Sequence, residues 1–198
     1  MGDNSMTKKT IALFFIAAST IGFASGARAQ KPEAAGTGQH PQMMKGMMGM
    51  TDAMFVPMMI KHHQHGIEMA RVEEERGSSA SVKALAAKIR QSQEKELAEL
   101  KAHAEHAAKG TSGHAEHDKM MEQQSQSMMA KLKSASGAAL DHAFLEQMAK
   151  HHEGAIAMTE GAKIQDPELK KVAQKMLTGQ AQELAELKKE LAAHARPK

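Results

Sequence analysis

The chain has 198 residues, enough for one modest domain with tails, and it contains 18 Met and 12 His but no Cys, Trp or Tyr. Because β-branched and aromatic residues are scarce while good helix formers are abundant, the composition disfavours a β-sheet protein and predicts an all-α one. The formal net charge of +3 does not indicate nucleic-acid binding, since basic and acidic residues alternate along the chain.

Residues 1–29 have the pattern of a secretory signal peptide. The basic pair Lys8-Lys9 precedes an apolar stretch over residues 11–24, and Ala27-Arg28-Ala29 supplies small residues at the cleavage positions. A membrane anchor is the alternative, but the apolar run is short for one. We therefore expect a mature protein that begins at Gln30 and is exported to a bacterial periplasm, where a soft-metal protein can use Met in place of oxidisable Cys.

Residues 30–50 are rich in Gly, Pro and Met and are predicted to form a mobile arm. Eight methionines fall between Met43 and Met59, and soft thioethers prefer Cu(I) over Zn(II) or iron. A low-complexity linker is the alternative interpretation. The candidate copper ligands of the arm are Met43, Met44, Met47, Met48 and Met50.

An internal duplication organises the remaining chain. The residues that recur at matching positions are Asp52/Asp141, Phe55/Phe144, Met59/Met148, Lys61/Lys150, His62/His151 and His63/His152. The string Glu-Leu-Ala-Glu-Leu-Lys is intact in both copies, over residues 96–101 and 183–188. Two repeats of this kind predict two copies of one structural unit.

Each repeat has the pattern of a helical hairpin. The apolar spacing predicts a first helix from about Met54 to Arg76, ended by Gly77-Ser78-Ser79, and Asp166-Pro167 marks the corresponding turn of the second repeat. Four amphipathic helices are expected to pack as a four-helix bundle. The predicted divisions are a first hairpin over residues 51–103, a crossover containing His and Met over 104–137 with a short helix near 120–132, and a second hairpin over 138–198.

The paired histidines are the main candidate metal ligands. Residues three and four apart share a helix face, so Met59 is expected beside His62 and His63. The second copy places Met148 beside His151 and His152 in the same way. The alternative is that these histidines are structural or face solvent, since two adjacent residues cannot point in one direction.

Two glutamines are predicted to accompany the histidines. His63 and Gln93 each lie 15 residues from the turn near Ser78, so an antiparallel hairpin would place them at one height. His152 and Gln180 are related in the same way about the second turn. Gln93 and Gln180 are therefore candidates to orient the imidazoles or to bind metal weakly.

The predicted crossover region carries a second histidine pattern. His103-Ala-Glu-His106 and His114-Ala-Glu-His117 each place two imidazoles on one face if they are helical, which suits Cu(II), Zn(II) or Ni(II). A solvated polar connector is an equally reasonable interpretation.

The repeated pattern Phe-x-x-x-Met-x-x-His-His-x-x-x-Ile-x-Met, followed by a helix with Gln-x-x-Glu-Leu, resembles the CopM-like family. These are small exported bacterial proteins, long catalogued as a domain of unknown function and grouped with ferritin-like bundles. The resemblance implies a ferritin-like four-helix bundle and copper binding in the periplasm. By position it points to Met59, His62, His63, Met148, His151 and His152.

The predicted function is a non-catalytic protein that buffers or carries copper, Cu(I) by preference and Cu(II) also, and contributes to copper tolerance. The expected partners are copper ions and other periplasmic copper-handling proteins, with no nucleic acid and no membrane after signal cleavage. A ferritin-like metal oxidase is one alternative, although the Glu-x-x-His pairs of such enzymes are absent from the sequence. A metal-free periplasmic helical chaperone or stress protein is the other.

Overall fold

The computed structural model describes residues 49–107 and 115–194. Within these ranges the chain forms five helices and no strand. The helices are α1 (Asp52–Arg76), α2 (Ala80–Ala107), α3 (Ala115–Ser134), α4 (Gly137–Gly161) and α5 (Pro167–His194). The all-α fold and the two helical hairpins, α1–α2 and α4–α5, are confirmed.

The turns of both hairpins lie where the sequence predicted them. Helix α1 ends at Arg76, and Gly77 follows in extended conformation. Helix α5 begins at Pro167, whose missing N–H costs nothing at a first helical position. Asp166 caps this helix, because its Oδ1 accepts a hydrogen bond of 2.7 Å from the backbone N–H of Leu169.

Two aspartates join the hairpins at opposite ends of the bundle. The carboxylate of Asp141, in the first turns of α4, accepts hydrogen bonds from the backbone N–H groups of Ser78 and Ser79, at 2.7 and 3.0 Å. Asp52, at the start of α1, accepts bonds of 2.8 Å from the backbone N–H groups of Gln165 and Asp166. Helix α1 thus begins beside the turn that follows α4, and α4 begins beside the turn that follows α1, so the two helices are antiparallel. The repeated aspartates join the two hairpins.

The core consists of two apolar clusters. The Phe144 cluster lies near the α1–α2 turn and contains Met69, Ala70, Val82, Leu85, Ala86, Ile89, Met128, Leu132, Leu140, Phe144, Leu145, Met148, Ala149 and Leu187. The Phe55 cluster lies near the α4–α5 turn and contains Met50, Phe55, Val56, Met58, Met59, Leu100, Met121, Ala155, Met158, Leu169, Ala173 and Met176. The two phenylalanines, one from each repeat, are fully buried at opposite ends.

Helix α3, from the predicted crossover, packs on α1 and α4 and extends along the bundle. Its Met121 belongs to the Phe55 cluster, whereas Met128 and Leu132 belong to the Phe144 cluster. An ion pair of 2.6 Å between Lys61 and Asp118 attaches its first turn to α1. The crossover helix is longer than the predicted 120–132, and Asp118, which makes this ion pair, lies in the added N-terminal part.

Among the helices of residues 49–107 and 115–194, none has the length and apolar character needed to cross a membrane. The predicted signal peptide lies outside the described residues, as do the first 19 residues of the predicted arm, 30–48.

Candidate metal centre

A layer of polar side chains lies between the two apolar clusters, where the middles of α1, α2, α4 and α5 meet. Each of its residues is at most 9% exposed. The members are His62, His63, Gln93, Glu96, His151, His152, Gln180 and Glu183. Polar groups buried this deeply are costly unless they are hydrogen-bonded, so the partner of each atom indicates its role.

His63 has both ring nitrogens engaged. Its Nδ1 lies 2.9 Å from the backbone carbonyl of Met59, and its Nε2 lies 2.8 Å from Oε2 of Glu96. Because a carbonyl can only accept, Nδ1 carries a proton, and a further proton is shared between Nε2 and the carboxyl group. His63 therefore has no free lone pair in this arrangement.

His152 repeats this environment in the second hairpin. Its Nδ1 lies 3.0 Å from the Met148 carbonyl and its Nε2 lies 2.8 Å from Oε2 of Glu183. We call His63 and His152 the outer histidines. The two hairpins are linked at this level, because Nε2 of Gln180 donates a hydrogen bond of 3.2 Å to Glu96.

His62 and His151 form an inner pair. Their rings pack against each other across the α1–α4 interface, with centroids 3.7 Å apart and planes inclined by 34°. Nε2 of His151 donates to the His62 carbonyl at 2.9 Å, which leaves its Nδ1 unprotonated in the neutral ring. Nδ1 of each inner histidine is buried and has no hydrogen-bond partner among the described residues.

Burial keeps the inner pair uncharged. It holds the pKa of His62 well below the ordinary 6.5, and repulsion from the neighbouring imidazoles, His151 first, lowers it further. The pKa of His151 is lowered for the same reasons, burial first and then repulsion from His152 and His63. Both rings are therefore neutral at physiological pH, which is the form that binds metal ions.

Gly66 permits this packing. A Cβ atom at this position would lie 2.8 Å from both Cδ of Gln93 and Cε1 of His151, closer than side chains tolerate. The space beside Gly66, one turn after the histidines of α1, is thus filled by His151 and by Gln93.

The expected contacts of Gln93 and Gln180 with the outer histidines are wrong. The outer histidines contact Glu96 and Glu183, which lie one helical turn beyond the predicted Gln93 and Gln180. The side-chain N and O of Gln93 have no hydrogen-bond partner among the described residues. The signal that could have identified the glutamates was present, since each begins the string Glu-Leu-Ala-Glu-Leu-Lys shared by the repeats.

Met59 and Met148, each predicted to lie beside the histidines of its own repeat, belong to different apolar clusters. Met59 is fully buried in the Phe55 cluster and Met148 is fully buried in the Phe144 cluster. Each lies one turn before its histidines, and because α1 and α4 are antiparallel, the two thioethers are directed to opposite ends. Their backbone carbonyls, rather than sulfur, make the hydrogen bonds to the outer histidines.

The remaining predicted ligands are only partly described. Met50 is buried, 2% exposed, in the Phe55 cluster, and its carbonyl accepts a hydrogen bond of 2.8 Å from the backbone N–H of Lys163. His103 is half-buried near the end of α2. The methionines and histidines whose side chains lie outside the described part are Met43, Met44, Met47, Met48, His106, His114 and His117.

Within residues 49–107 and 115–194, no three His, Asp or Glu side chains are arranged to hold a metal ion. The geometry instead provides two adjacent neutral imidazoles with free Nδ1 atoms, flanked by two hydrogen-bonded histidine–glutamate pairs. Such a pair of neutral nitrogen donors suits a metal ion of low coordination number or one that recruits further ligands.

Solved structures resemble this chain over most of its length. CopM in the Cu(II)-bound form is 27% identical, with a TM-score of 0.58, and the match covers 74% of this chain and 99% of CopM. CopM in the Ag-bound form is 25% identical, with the same TM-score and coverages of 74% and 98%. A DUF305 fragment from Deinococcus radiodurans is 26% identical, with a TM-score of 0.62 and coverages of 72% and 95%.

No curated protein matches the chain. The sequence does match the family described as Domain of unknown function (DUF305), over residues 18–104 and 52–191, and the second match alone spans more than half of the chain. The CopM-like resemblance is thereby confirmed, and the chain belongs to the DUF305 family.

Proposed function

We propose that this protein binds copper after export and buffers or carries it in the periplasm, and that its first copper ligands are the inner histidines, His62 and His151. In this proposal the protein is a carrier rather than an enzyme and contributes to copper tolerance. The observation that carries it is the pair of buried, neutral imidazoles whose Nδ1 atoms lack hydrogen-bond partners among the described residues.

The chemistry of these donors supports copper. Imidazole binds both Cu(II) and Cu(I), whereas the many thioethers of the chain suit Cu(I), and no thiolate is available because the chain has no Cys. CopM, which matches this chain in fold and at 27% identity, is described in Cu(II)-bound and Ag-bound forms. Silver is a close chemical substitute for Cu(I), so both oxidation states are part of the proposal.

The hydrogen bonds rank the four histidines as ligands. The inner histidines each have an Nδ1 atom with no hydrogen-bond partner among the described residues. The outer histidines would have to give up the bond between Nε2 and a glutamate before binding metal. We therefore expect the inner pair to bind first and the outer pairs to fix the helices around it.

The test is a competitive Cu(I) titration of the full chain under anaerobic conditions. H62A/H151A should weaken Cu(I) binding at the tightest site by at least ~100-fold. Loss of a residue that only supports a metal ligand already lowers metal affinity by up to ~100-fold, and here both ligands are lost. H65A/H142A is the matched control, because it removes two histidines outside the polar layer and should leave that affinity unchanged. Unaltered binding by folded H62A/H151A, checked by circular dichroism, would contradict the proposal.

The two buried glutamates of the polar layer favour one other function, a ferritin-like metal oxidase. Glu96 and Glu183 supply inward carboxylates, which such enzymes require. Metal analysis of the purified protein separates the two functions. Bound copper supports the carrier, whereas bound iron together with oxygen consumption on Fe(II) addition would support the oxidase.

A further inference from the structure

Helix α3 covers the interface that holds the inner histidines. It packs on both α1 and α4, the two helices that meet at the inner pair. Lys61 forms its ion pair with this helix, and Nε2 of His65 lies 3.6 Å from Oε2 of Glu122. Because His62 lies between Lys61 and His65 on α1, and shares a helix face with His65, the side of α1 that carries it borders α3.

The buried stripe of α3 crosses the level of the polar layer. Over residues 118–134 the buried side chains follow one helical face, and they are Met121, Ser125, Met128 and Leu132. Met121 belongs to the Phe55 cluster, whereas Met128 belongs to the Phe144 cluster. Since the polar layer lies between these clusters, the part of α3 from Met121 to Met128 passes over it.

Helix α3 is less firmly packed than the helices beneath it. It buries four side chains over residues 118–134, whereas α1 and α4 bury eleven each. Ser125 occupies the middle of the stripe, so no large apolar side chain anchors α3 where it crosses the polar layer. The side chains of Lys61 and Asp118 are 46% and 39% exposed, and exposed ion pairs add little stability. A helix with so few buried side chains opens locally before the rest of a protein unfolds.

The joint between α3 and α4 suits a movement of α3. Two residues, Ala135 and Ser136, separate the helices, and Gly137 begins α4 with a φ of +56°, a left-handed conformation that favours glycine. A Cβ atom at Gly137 would meet nothing within 4 Å, so glycine is required here by the backbone conformation and not by close packing. Arg76 of α1 donates a hydrogen bond of 2.8 Å to the carbonyl of Ala135. This bond fixes the pivot and leaves the rest of α3 to swing about it.

We propose that α3 is a lid over the inner histidines, and that copper enters and leaves the bundle when α3 swings away from α1 and α4. The inference rests on the proposed role of His62 and His151 as copper ligands and adds the route by which an ion reaches them. These two residues are 9% and 5% exposed, so a hydrated ion does not reach them in the closed bundle. Helices α2 and α5 pack on α1 and α4 and on each other, and the apolar clusters lie on either side of the polar layer along the bundle. The way in is therefore under α3.

The first measurement is amide hydrogen exchange of the full chain without metal. A released α3 is a single helix of 20 residues, which is marginally stable in water, so its amides exchange whenever it leaves the bundle. We expect the amides of α3 to exchange together and at least ~10-fold faster than those in the middle of α1 and α4. Exchange in α3 that is as slow as in α1 and α4 would overturn the proposal.

The second measurement is the rate at which the copper-loaded full chain releases Cu(I) to an excess of a coloured chelator. L132A removes a fully buried side chain from the stripe of α3, and such a loss changes an equilibrium by more than tenfold. It should therefore speed release by at least ~10-fold. The affinity for Cu(I) should stay unchanged, because α3 supplies no ligand and an ion bound equally in both states does not shift the lid. L187A is the matched control, since Leu187 is as deeply buried in the same cluster but lies on α5, and it should leave the release rate unchanged.

The lid and the copper site fail in different ways. Unchanged Cu(I) affinity in folded H62A/H151A would overturn both proposals. The lid alone is overturned if H62A/H151A loses affinity while L132A, with faster exchange in α3, releases Cu(I) at the wild-type rate. The exchange measurement on the wild-type chain decides the matter even if L132A does not fold.

Discussion

The two ends of the bundle are built from equivalent parts of a duplicated hairpin and are held by equivalent aspartates, but they differ in their buried side chains. At each end an aspartate, Asp52 or Asp141, accepts backbone hydrogen bonds from the opposite turn. Thioethers are concentrated at the Phe55 end, whereas a buried carboxyl group, Glu73, lies at the Phe144 end. The duplication thus preserved the residues that hold the helices and let the ends acquire separate properties.

Glu73 is fully buried beneath the α1–α2 turn, close to Gly77. Burial, and then the neighbouring Asp141, raise the pKa of Glu73 to about 8, although Lys83 acts in the opposite direction. Burial also opposes ionisation of Asp141, but hydrogen bonds from Ser78 and Ser79 outweigh it and hold the Asp141 pKa below its ordinary value. Asp141 is thus the charged partner and Glu73 the protonated one at neutral pH.

The largest expected effect is a pH dependence of stability that belongs to the Phe144 end alone. The pKa of Glu73 is about 8 in the folded protein against an ordinary 4.5. The stability that protonated Glu73 contributes to the folded state is therefore complete below pH 4.5 and is lost as the pH rises through 8. The folded state holds one extra proton between these two pH values. The free energy of unfolding should therefore fall by up to ~1.4 kcal/mol per pH unit as the pH rises.

E73Q, which mimics the protonated carboxyl group, should remove this component of the slope and be more stable than wild type at pH 8. E75Q alters an exposed glutamate of the same helix and serves as the control. Urea unfolding at pH 5, 6, 7 and 8 measures the difference between each variant and wild type. An equal pH dependence in E73Q and wild type would show that Glu73 does not retain its proton.

The next effect concerns the two aspartates that join the hairpins at the ends of the bundle. The carboxylate of Asp141 accepts two backbone bonds and a hydroxyl bond from Ser78, and it is 1% exposed. Asp52 accepts two backbone bonds at a more exposed place. We expect D141A to cost about 3 kcal/mol and D52A about 1–2 kcal/mol, since bonds to charged groups matter most when buried.

Both substitutions are best compared in the E73Q background, where no change in the protonation of Glu73 can accompany the loss of Asp141. Thermal and urea unfolding give the two free-energy changes on one scale. If D52A proves as costly as D141A, the ends are more alike than the described hydrogen bonds indicate.

The smallest effect is expected in the polar layer between the ends. G66A should destabilise the protein by about 1–2 kcal/mol, because the new methyl group displaces Gln93 and His151. G154A on α4 is the control, since its Cβ would lie 3.5 Å from Nε2 of His62, an ordinary contact. That variant should be stabilised by up to ~1 kcal/mol, as expected for Gly to Ala inside a helix. Equal changes in the two melting temperatures would argue against close packing at Gly66.

Local sequence patterns predicted the helices and turns because both depend on short-range interactions. The apolar spacing of α1, the break at Gly77 and the start of α5 at Pro167 are each decided within a few residues. The duplication in addition predicted that both repeats form the same helical hairpin. From these features the two-hairpin bundle could be predicted.

Only the tertiary structure decided which side chains meet in the polar layer. Counting from the turn placed Gln93 beside His63, but Glu96 occupies that position, and three residues amount to about 4.5 Å along a helix. Equal counts on two helices do not fix their relative shift or rotation, which depend on how all side chains of the interface pack. Glu96 and Glu183 were thus visible in the sequence as repeated residues but not as partners.

The same reason separates neighbouring histidines that the sequence cannot distinguish. His62 and His63 are adjacent and both buried, yet one contacts His151 across the α1–α4 interface and the other contacts Glu96 within its own hairpin. A turn of about 100° per residue directs them to different helices. Sequence therefore determined that each hairpin carries two adjacent histidines, whereas the antiparallel packing of α1 on α4 decided which of them has a nitrogen without a hydrogen-bond partner among the described residues.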